Sequence, residues 1–247
     1  GWVVRHGAPK GTIIPRNRDR HGQGAARGTD KACMDPRSVL LGLLELIAPL
    51  RCPGCDLRVD RDSDADLPLD PHASAFCDAC RPALELFPGV EAVYAYGGPL
   101  ADAIKRLKYD GRMDTLSGLT RLMERAYPSV VGTVDMVVSV PLHPRKRIAR
   151  GFDQSALLVQ PLAKALGVPL RRNVLRRVRD TPAQAHLDAE ARDRNVLGAF
   201  EGKGLRGERV LLFDDVRTTG ATLDAASAAL FEAGAGSVVT LSLAGRV

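Results

Sequence analysis

The stretch from Val210 to Leu223, VLLFDDVRTTGATL, constrains the fold of this 247-residue chain more than any other. Its first four residues are apolar without a break, which is typical of a parallel strand buried on both faces. Two carboxylates, Asp214 and Asp215, follow at the carboxyl end of that strand. A loop of small and hydroxyl-bearing residues comes next, and helical apolar spacing leads from it to a C-capping position at Gly234. This order predicts an α/β domain with a ligand site at the edge of its sheet.

The loop and the acidic pair predict two kinds of ligand contact. Unpaired N–H groups at a helix N-terminus bind phosphate, and small residues let the backbone come close to it. Paired aspartates would repel a phosphate, but they suit the vicinal hydroxyls of a sugar or a metal ion. A ribose phosphate presents both halves, whereas a buried strand with an N-capping aspartate is the simpler alternative. The candidate phosphate-binding residues are Thr218, Thr219, Gly220, Ala221 and Thr222.

Strands and helices alternate along the rest of the chain, which predicts a parallel sheet flanked by helices. Asp153 is a good N-cap for the helix that it precedes, and Gly167 is predicted to close that helix. The predicted strands are Val90–Tyr96, Val134–Val140 and Ser237–Leu243, and the predicted helices are Arg37–Ala48, Pro99–Tyr109, Asp114–Ala126 and Asp153–Leu166.

The helix predicted before residue 110 has a clear apolar face. Its spacing places Leu100, Ile104 and Leu107 toward the core. The same spacing places Lys105 and Lys108 toward solvent.

Length and composition favour one α/β domain with a smaller module. No apolar run reaches about 18 residues, so no membrane span is expected. The N-terminus lacks the order of a signal peptide, which makes the cytoplasm the expected location. Residues 1–33 have no periodic apolar face and are predicted to be disordered. We therefore divide the chain into a basic tail (1–33), an N-terminal helix with a cysteine module (34–88) and the α/β domain (89–247).

The formal net charge of +6 is unevenly distributed. Residues 1–33 carry seven Lys/Arg against two Asp/Glu, and residues 136–195 carry twelve against five. The second region fits either a polyphosphate pocket or a strip that binds nucleic acid. Aromatic residues make up only 4% of the chain, so few side chains are available for nucleic-acid bases to stack on.

Four cysteines, Cys52, Cys55, Cys77 and Cys80, form two C-x2-C pairs. Each pair is a tight turn that can direct two thiolates at one ion, so together they predict a closed, structural zinc site. Two disulfides or four idle thiols are the alternatives. A reducing cytoplasm disfavours the disulfides, and two C-x2-C pairs are improbable by chance. Cys33 stands apart and is assigned no role.

A basic run follows the strand Val134–Val140, and a long polar segment, Asn173–Asn195, comes later. A solvated charge run is the usual interpretation of such a run, but its place after a buried strand favours phosphate contact. His143 is predicted to pack in the loop rather than to act as a base. A segment as long as 173–195 without an apolar stripe is usually functional or mobile. The candidates in the run are Leu142, His143, Arg145, Lys146, Arg147 and Arg150.

In the joint order of its motifs the chain resembles the ComF family of phosphoribosyltransferase-like proteins. The resemblance covers about Arg51 to Arg246. It lies in the motifs CPGC, CDAC, YGGPL (96–100), LKY (107–109), VPLHPRKRIARGFDQ (140–154) and LRRVRDTPAQ (175–184), in Arg192, Asn195, Val196 and Phe200, and in the stretch 210–223. Two positions differ from the family pattern, because Asp153 replaces a usual asparagine and Arg217 a usual aliphatic residue.

The resemblance implies a type I phosphoribosyltransferase core behind a zinc-binding module. It implies that Asp214 and Asp215 hold the ribose hydroxyls of phosphoribosyl pyrophosphate, that Thr218–Thr222 holds the 5′-phosphate and that Val140–Lys146 holds the pyrophosphate. Mg²⁺ would bridge pyrophosphate and ribose oxygens. A mobile loop beginning at residue 176 would close over the site, with the candidate residues Arg176, Arg179, Gln184 and Arg192.

Two functions fit this resemblance. One is phosphoribosyl transfer to an acceptor that the sequence does not identify. The other is a non-catalytic module of natural competence that binds single-stranded DNA or a protein of the DNA-uptake machinery. An intact acidic pair favours ligand binding, but binding does not establish turnover.

Overall fold

A parallel sheet lies at the centre of the computed structural model, which describes residues 51–59, 72, 75–179 and 198–246. The predicted tail 1–33 and the predicted helix Arg37–Ala48 lie outside the described residues. In chain order the elements are β1 (Ala92–Ala95), α1 (Gly98–Tyr109), α2 (Thr115–Glu124), α3 (Tyr127–Val130), β2 (Met136–Ser139), α4 (Pro144–Arg150), α5 (Gln154–Leu166), β3 (Leu175–Arg177), β4 (Phe200–Gly202), β5 (Arg209–Arg217), α6 (Ala221–Glu232) and β6 (Ser237–Gly245).

The strand order β1-β6-β5-β2 and the parallel pairing of all neighbours confirm the predicted fold class. Strand β5 is central, and its residues Val210–Phe213 are completely buried, as their unbroken apolar run predicts. Because all four strands run the same way, their carboxyl ends meet at one edge. The loops after β1, β2, β5 and β6 therefore lie close together.

Helices cover both faces of the sheet. On one face α1, α2 and α5 pack with alternate residues of β5, such as Leu211 and Phe213, in one buried cluster. On the other face α6 and the small antiparallel pair β3–β4 pack against Val210 and Leu212. No helix within the described ranges is both long enough and apolar enough to cross a bilayer.

Helix α5 begins and ends as its sequence predicts. The Ala156 N–H donates to the Asp153 carboxylate at 3.1 Å, which is an N-cap contact. Gly167 terminates the helix in the left-handed conformation at φ 69°. Asp153 therefore keeps the capping function of the asparagine that the family pattern has there, since both side chains accept this hydrogen bond.

The secondary structure differs from the sequence predictions at several points, and three of them concern the candidate site residues. Strand β5 continues through Arg217, so the acidic pair lies within the strand instead of after it. The basic run forms the short helix α4. The segment predicted to be irregular from residue 173 contains β3, which pairs with Phe200–Gly202, and residues 180–197 lie outside the described part of the chain.

The cysteine-bearing segment packs directly on the α/β core. Cys52, Phe76 and Cys80 belong to the same buried cluster as α1 and α2. The Arg106 guanidinium, on α1, donates to the backbone carbonyls of Pro53 and Gly54 in the first cysteine turn. All described residues fall within one compact unit, 44–247, and a domain boundary at residue 88 stays a prediction.

A second arginine holds the same turn. Arg112, just beyond α1, contacts the Asp56 carboxylate at 2.7 Å. The first cysteine turn is therefore held in its middle by Arg106 of α1 and just after its second cysteine by Arg112, which follows that helix.

Candidate functional site

A cavity of about 790 Å³ lies at the carboxyl edge of the sheet. Its walls come from the ends of β1, β2, β5 and β6, from the N-terminus of α6 and from the facing sides of α1, α4 and α5. A volume of this size is typical of a small-molecule site, and a carboxyl edge is where parallel α/β sheets bind ligands.

The cavity brings together eight of the residues that the sequence singles out. They are Leu142, Lys146, Arg150, Asp214, Asp215, Thr218, Gly220 and Thr222. Thr219 and Ala221 belong to the same loop but do not line the cavity. Gln184 and Arg192 lie outside the described residues.

Helix α4 divides the basic run between two surfaces. Lys146 and Arg150, four residues apart, are half-buried and line the cavity. Arg145 and Arg147 are exposed and do not line it, and His143 precedes the helix without lining the cavity. The run is therefore in part a cavity wall and in part a solvated face.

The loop candidates that the structure describes lie apart from the acidic pair. Arg176 is on the exposed side of β3, where its guanidinium contacts Glu201 at 2.5 Å. Its neighbour Arg177 lines the cavity instead, and Arg179 is exposed beyond the strand.

The acidic pair is held by hydrogen bonds from three elements. The Asp214 carboxylate accepts from the Ser155 hydroxyl of α5 at 3.1 Å and from the Asp215 N–H at 2.9 Å. The Asp215 carboxylate contacts the Lys108 ammonium of α1 at 2.6 Å, while its second oxygen, Oδ2, is buried without a hydrogen-bond partner among the described residues. Such an oxygen is a candidate acceptor for a ligand hydroxyl.

Lys108 corrects one prediction. Helical spacing places it toward solvent, but its side chain is only 18% exposed and points to the acidic pair. The error arises because the Lys108 side chain reaches Asp215 in β5. The two residues are 107 positions apart, so helical spacing does not show this contact.

Burial and proximity change the charge state of the pair. Asp214 is half-buried and closely surrounded by other side chains. Desolvation, which is the larger cause, and repulsion from Asp215, which is the second, raise the pKa of Asp214 to about 7. Burial opposes the charged form of Lys108, yet the two carboxylates raise its pKa above the ordinary value. The three groups therefore act as one electrostatic unit.

The cavity wall is strongly cationic. Apart from the acidic pair, Asp110 is the remaining carboxyl group among its described lining residues. Seven cationic side chains face these three carboxyl groups: Lys105, Lys108, Lys146, Arg150, Arg177, Arg217 and Arg246. An excess of positive charge around a concave site favours a polyanionic ligand.

The backbone of the loop before α6 favours a glycine at residue 220. Gly220 is the N-cap and has φ 95°, a left-handed conformation. A Cβ there would lie 3.1 Å from the Arg217 guanidinium. Arg217 therefore lies over the helix N-terminus, next to the loop that the sequence assigns to phosphate.

Some cavity residues could have been found from the sequence and others could not. Tyr96 and Arg246 follow β1 and β6 directly, and positions after a parallel strand are those that a sheet edge exposes. Ser155 and Lys108 lie on helices, where no local signal distinguishes them from other polar residues.

The four sulfur atoms of Cys52, Cys55, Cys77 and Cys80 lie within 4.8 Å of one another. The Cys55 and Cys77 sulfurs are 3.5 Å apart. Zinc–sulfur bonds of about 2.3 Å in a tetrahedron place the sulfurs about 3.8 Å apart. The cluster could therefore hold a zinc ion, and no other group of three or more such ligands is found in the described part of the chain.

The fold and the site together define a parallel α/β protein with a cationic, acid-paired cavity and a four-cysteine cluster. No family model matches the chain. It is 34% identical over 173 residues to the DNA utilization protein YhgH of Salmonella typhi, covering 68% of this chain and 76% of that protein. It is 32% identical over 158 residues to competence protein F of Haemophilus influenzae, and the match covers 60% of this chain and 69% of that protein. The chain belongs to the ComF family.

More distant similarities are weaker. Competence protein ComFC of Streptococcus pneumoniae is 28% identical over 203 residues, 78% of this chain and 86% of that protein. Among solved structures, the glutamine phosphoribosylpyrophosphate amidotransferase of B. subtilis superposes with a TM-score of 0.39 at 22% identity, over 56% of this chain and 30% of that one. Because that TM-score is low, the fold assignment depends on the topology of the chain itself.

Proposed function

We propose that this protein binds phosphoribosyl pyrophosphate together with Mg²⁺ and transfers its phosphoribosyl group. The observation that carries the proposal is the position of the buried acidic pair beside the Thr218–Thr222 loop in a cationic cavity. One part of the site suits sugar hydroxyls, and the other suits phosphate groups.

Each wall of the cavity would have its own task. Asp214 and Asp215 would accept hydrogen bonds from the ribose hydroxyls. The α6 N-terminus, with Arg217 above it, would bind the 5′-phosphate. Lys146 and Arg150 would bind the pyrophosphate, and Mg²⁺ would neutralise part of its charge.

Transfer would break the bond between C1 of the ribose and the pyrophosphate oxygen, so that the electron pair leaves with pyrophosphate, and would form a bond from C1 to a nucleophilic atom of the acceptor. Positive charge develops on the sugar as that bond lengthens. The chain would contribute by positioning the ribose on the acidic pair and by stabilising the departing pyrophosphate with its cations.

Calorimetry with phosphoribosyl pyrophosphate, with and without Mg²⁺, tests the proposal. We expect saturable binding that weakens when Mg²⁺ is withdrawn. A screen of acceptors for pyrophosphate release then tests turnover. No binding at millimolar ligand with Mg²⁺ would reject the proposal.

Substitution of Gly220 tests the phosphate loop. An alanine at φ 95° costs about 1–2 kcal/mol of strain, and its Cβ would displace Arg217. We expect Gly220→Ala to weaken the binding of phosphoribosyl pyrophosphate by about tenfold or more. A tenfold loss corresponds to about 1.4 kcal/mol of binding free energy. Calorimetry measures the affinity, and thermal unfolding measures the stability.

Gly132→Ala is the matched control for that variant. Gly132 has φ 72° and lies in a turn with no atom within 4 Å of an added Cβ. It should lose similar stability and keep full affinity. Equal affinity for all three proteins would show that the loop does not contact the ligand.

We propose that the cysteine cluster holds one structural zinc ion. Four thiolates would close its coordination shell, so the metal would stabilise the fold and not take part in chemistry. The cytoplasmic location that we propose for the protein keeps thiols reduced and available to the metal.

A second candidate function is binding of single-stranded DNA or of a protein that takes part in DNA uptake. The names of the relatives mention DNA utilization and competence. On this chain, Arg145, Arg147 and the 81% exposed Ile148 form a basic and apolar surface on α4 outside the cavity. This surface could contact a nucleic-acid backbone independently of the sugar site.

Any binding to DNA should be sensitive to salt and insensitive to sequence, because it would depend on phosphate contacts. For a single strand, log K should fall by about 0.7 per phosphate contact for each decade of salt. We expect Arg145→Gln with Arg147→Gln to reduce that slope by about 1.4. Titration of a labelled strand at several salt concentrations gives the slope, and an unchanged slope would assign the contacts elsewhere.

A further inference from the structure

Lys108 joins α1 to the acidic pair. Its ammonium lies 2.6 Å from the Asp215 Oδ1 oxygen, and both side chains are largely buried, at 18% and 5% exposure. An ion pair in this environment is much less screened than one at the surface. Loss of one partner would leave an uncompensated buried charge.

Asp215 has two oxygens with different surroundings. Lys108 occupies Oδ1, whereas the buried Oδ2 has no hydrogen-bond partner in the described structure. Asp215 lines the cavity. The contact with Lys108 therefore fixes the rotation of the carboxylate and leaves one oxygen for a ligand.

The charge of Lys108 also decides whether the pair can accept hydrogen bonds. Two adjacent buried carboxyl groups repel each other, so without a nearby cation one of them keeps a proton at neutral pH. Burial and the charge of Asp215 already raise the pKa of Asp214 to about 7 while Lys108 is present. A protonated carboxyl group has one acceptor fewer for vicinal hydroxyls.

We infer that Lys108 is a positioning residue of the sugar subsite, whose ammonium orients Asp215 and favours the ionised form of the acidic pair, in which the pair can bind two ligand hydroxyls. This inference rests on the proposed function. The ammonium of Lys108 contacts Asp215, so its effect on the ligand would pass through the acidic pair. Its positive charge would offset the repulsion between the two carboxylates, and between them and the phosphate groups of the ligand.

Other charged groups face the pair and belong to the same balance. Asp153, at the start of α5, has its pKa raised by burial and in part by Asp215. Tyr109 follows Lys108 on α1 and favours its charged form. Arg217 continues β5 beyond the pair, and Arg150 and Arg246 face the cavity from α4 and from the end of β6.

Calorimetry with phosphoribosyl pyrophosphate and Mg²⁺ between pH 6 and pH 9 tests the inference. The affinity of the unaltered protein should rise with pH through about 7, because Asp214 loses its proton there. In Lys108→Met the midpoint should move up by about one to three pH units, with an affinity loss of about tenfold or more at pH 7. Lys164→Met, an exposed lysine of α5, removes the same charge away from the cavity and should change neither quantity.

Lys108→Arg separates charge from packing. A guanidinium keeps the positive charge, so the pH midpoint should stay near that of the unaltered protein even if the affinity falls. An Arg variant whose midpoint moves as far as that of the Met variant would overturn the inference. So would a folded Met variant with an unchanged pH profile.

Titration of the ligand-free protein keeps the test separate from the proposed function. With ¹³C-labelled aspartate, NMR follows the Asp214 carboxyl carbon directly. The pKa of Asp214 should rise in Lys108→Met and not in Lys164→Met, because the charge of Lys108 lowers it. If the unaltered protein binds no phosphoribosyl pyrophosphate but this pKa rises, the proposed ligand is wrong and the electrostatic role of Lys108 stands. If it does not rise, the inference fails whatever the ligand.

Discussion

Removal of zinc is expected to unfold the cysteine-bearing segment and to destabilise the domain that it packs on. Structural zinc contributes about 10–16 kcal/mol in small zinc modules, which is comparable with the whole stability of a domain, about 5–15 kcal/mol. Here Cys52, Phe76 and Cys80 are buried in the same cluster as α1 and α2. Loss of the metal should therefore expose part of the main core as well.

Elemental analysis, hydrogen exchange and thermal unfolding measure this result. We expect about one zinc per chain, lost on chelation or in Cys52→Ser with Cys77→Ser. A loss of at least 5 kcal/mol would lower the unfolding temperature by roughly 10–20 °C. Cys33→Ser is the control, because Cys33 is outside the predicted ligand set. A zinc content that is the same in the double variant and in the unaltered protein would remove the metal site from the account.

Replacement of both aspartates by asparagine is expected to abolish tight binding of phosphoribosyl pyrophosphate. Asp214→Asn with Asp215→Asn preserves size and an acceptor oxygen for Ser155 and Lys108. It removes the counter-charge of the largely buried Lys108, so we expect some loss of stability, and thermal unfolding identifies conditions in which both proteins are folded. Hydrogen bonds to charged groups are worth about 1.5–3 kcal/mol each. Two of them correspond to an affinity loss of about two to four decades.

Calorimetry on folded proteins gives the comparison. Asp102→Asn with Asp135→Asn is the matched control, since it removes two exposed carboxylates, one on α1 and one before β2. The control should bind as the unaltered protein does. Equal affinity in the Asp214/Asp215 variant would mean that the acidic pair is structural.

The elements that local chemistry determines were predictable. The run Val210–Phe213 is buried on both faces, Asp153 caps α5, and Gly167 ends it, because strand burial and capping depend on a few neighbouring residues. The alternation of strands and helices, which is also visible in the local sequence pattern, predicted the parallel sheet. The acidic pair and the Gly220 loop were recognised from their place after the apolar run Val210–Phe213, although β5 itself continues through the pair to Arg217.

Contacts between distant segments were not predictable from local pattern. Spacing along α1 indicates which side faces the core, but it does not show that β5 ends beside Lys108. The pairing that makes Leu175–Arg177 a strand depends on Phe200–Gly202, across a long intervening segment. In both cases the deciding partner lies far away in sequence.

The attachment of the first cysteine turn to α1 has a thermodynamic consequence. Arg106 and Arg112 fasten that turn near the end of α1, and Lys108 stands between them and contacts the acidic pair. If zinc and the sugar ligand favour the same position of α1, each must raise the affinity for the other by the same factor. Protein depleted of zinc would then bind the sugar ligand less tightly, and protein saturated with that ligand would hold its zinc longer against a chelator.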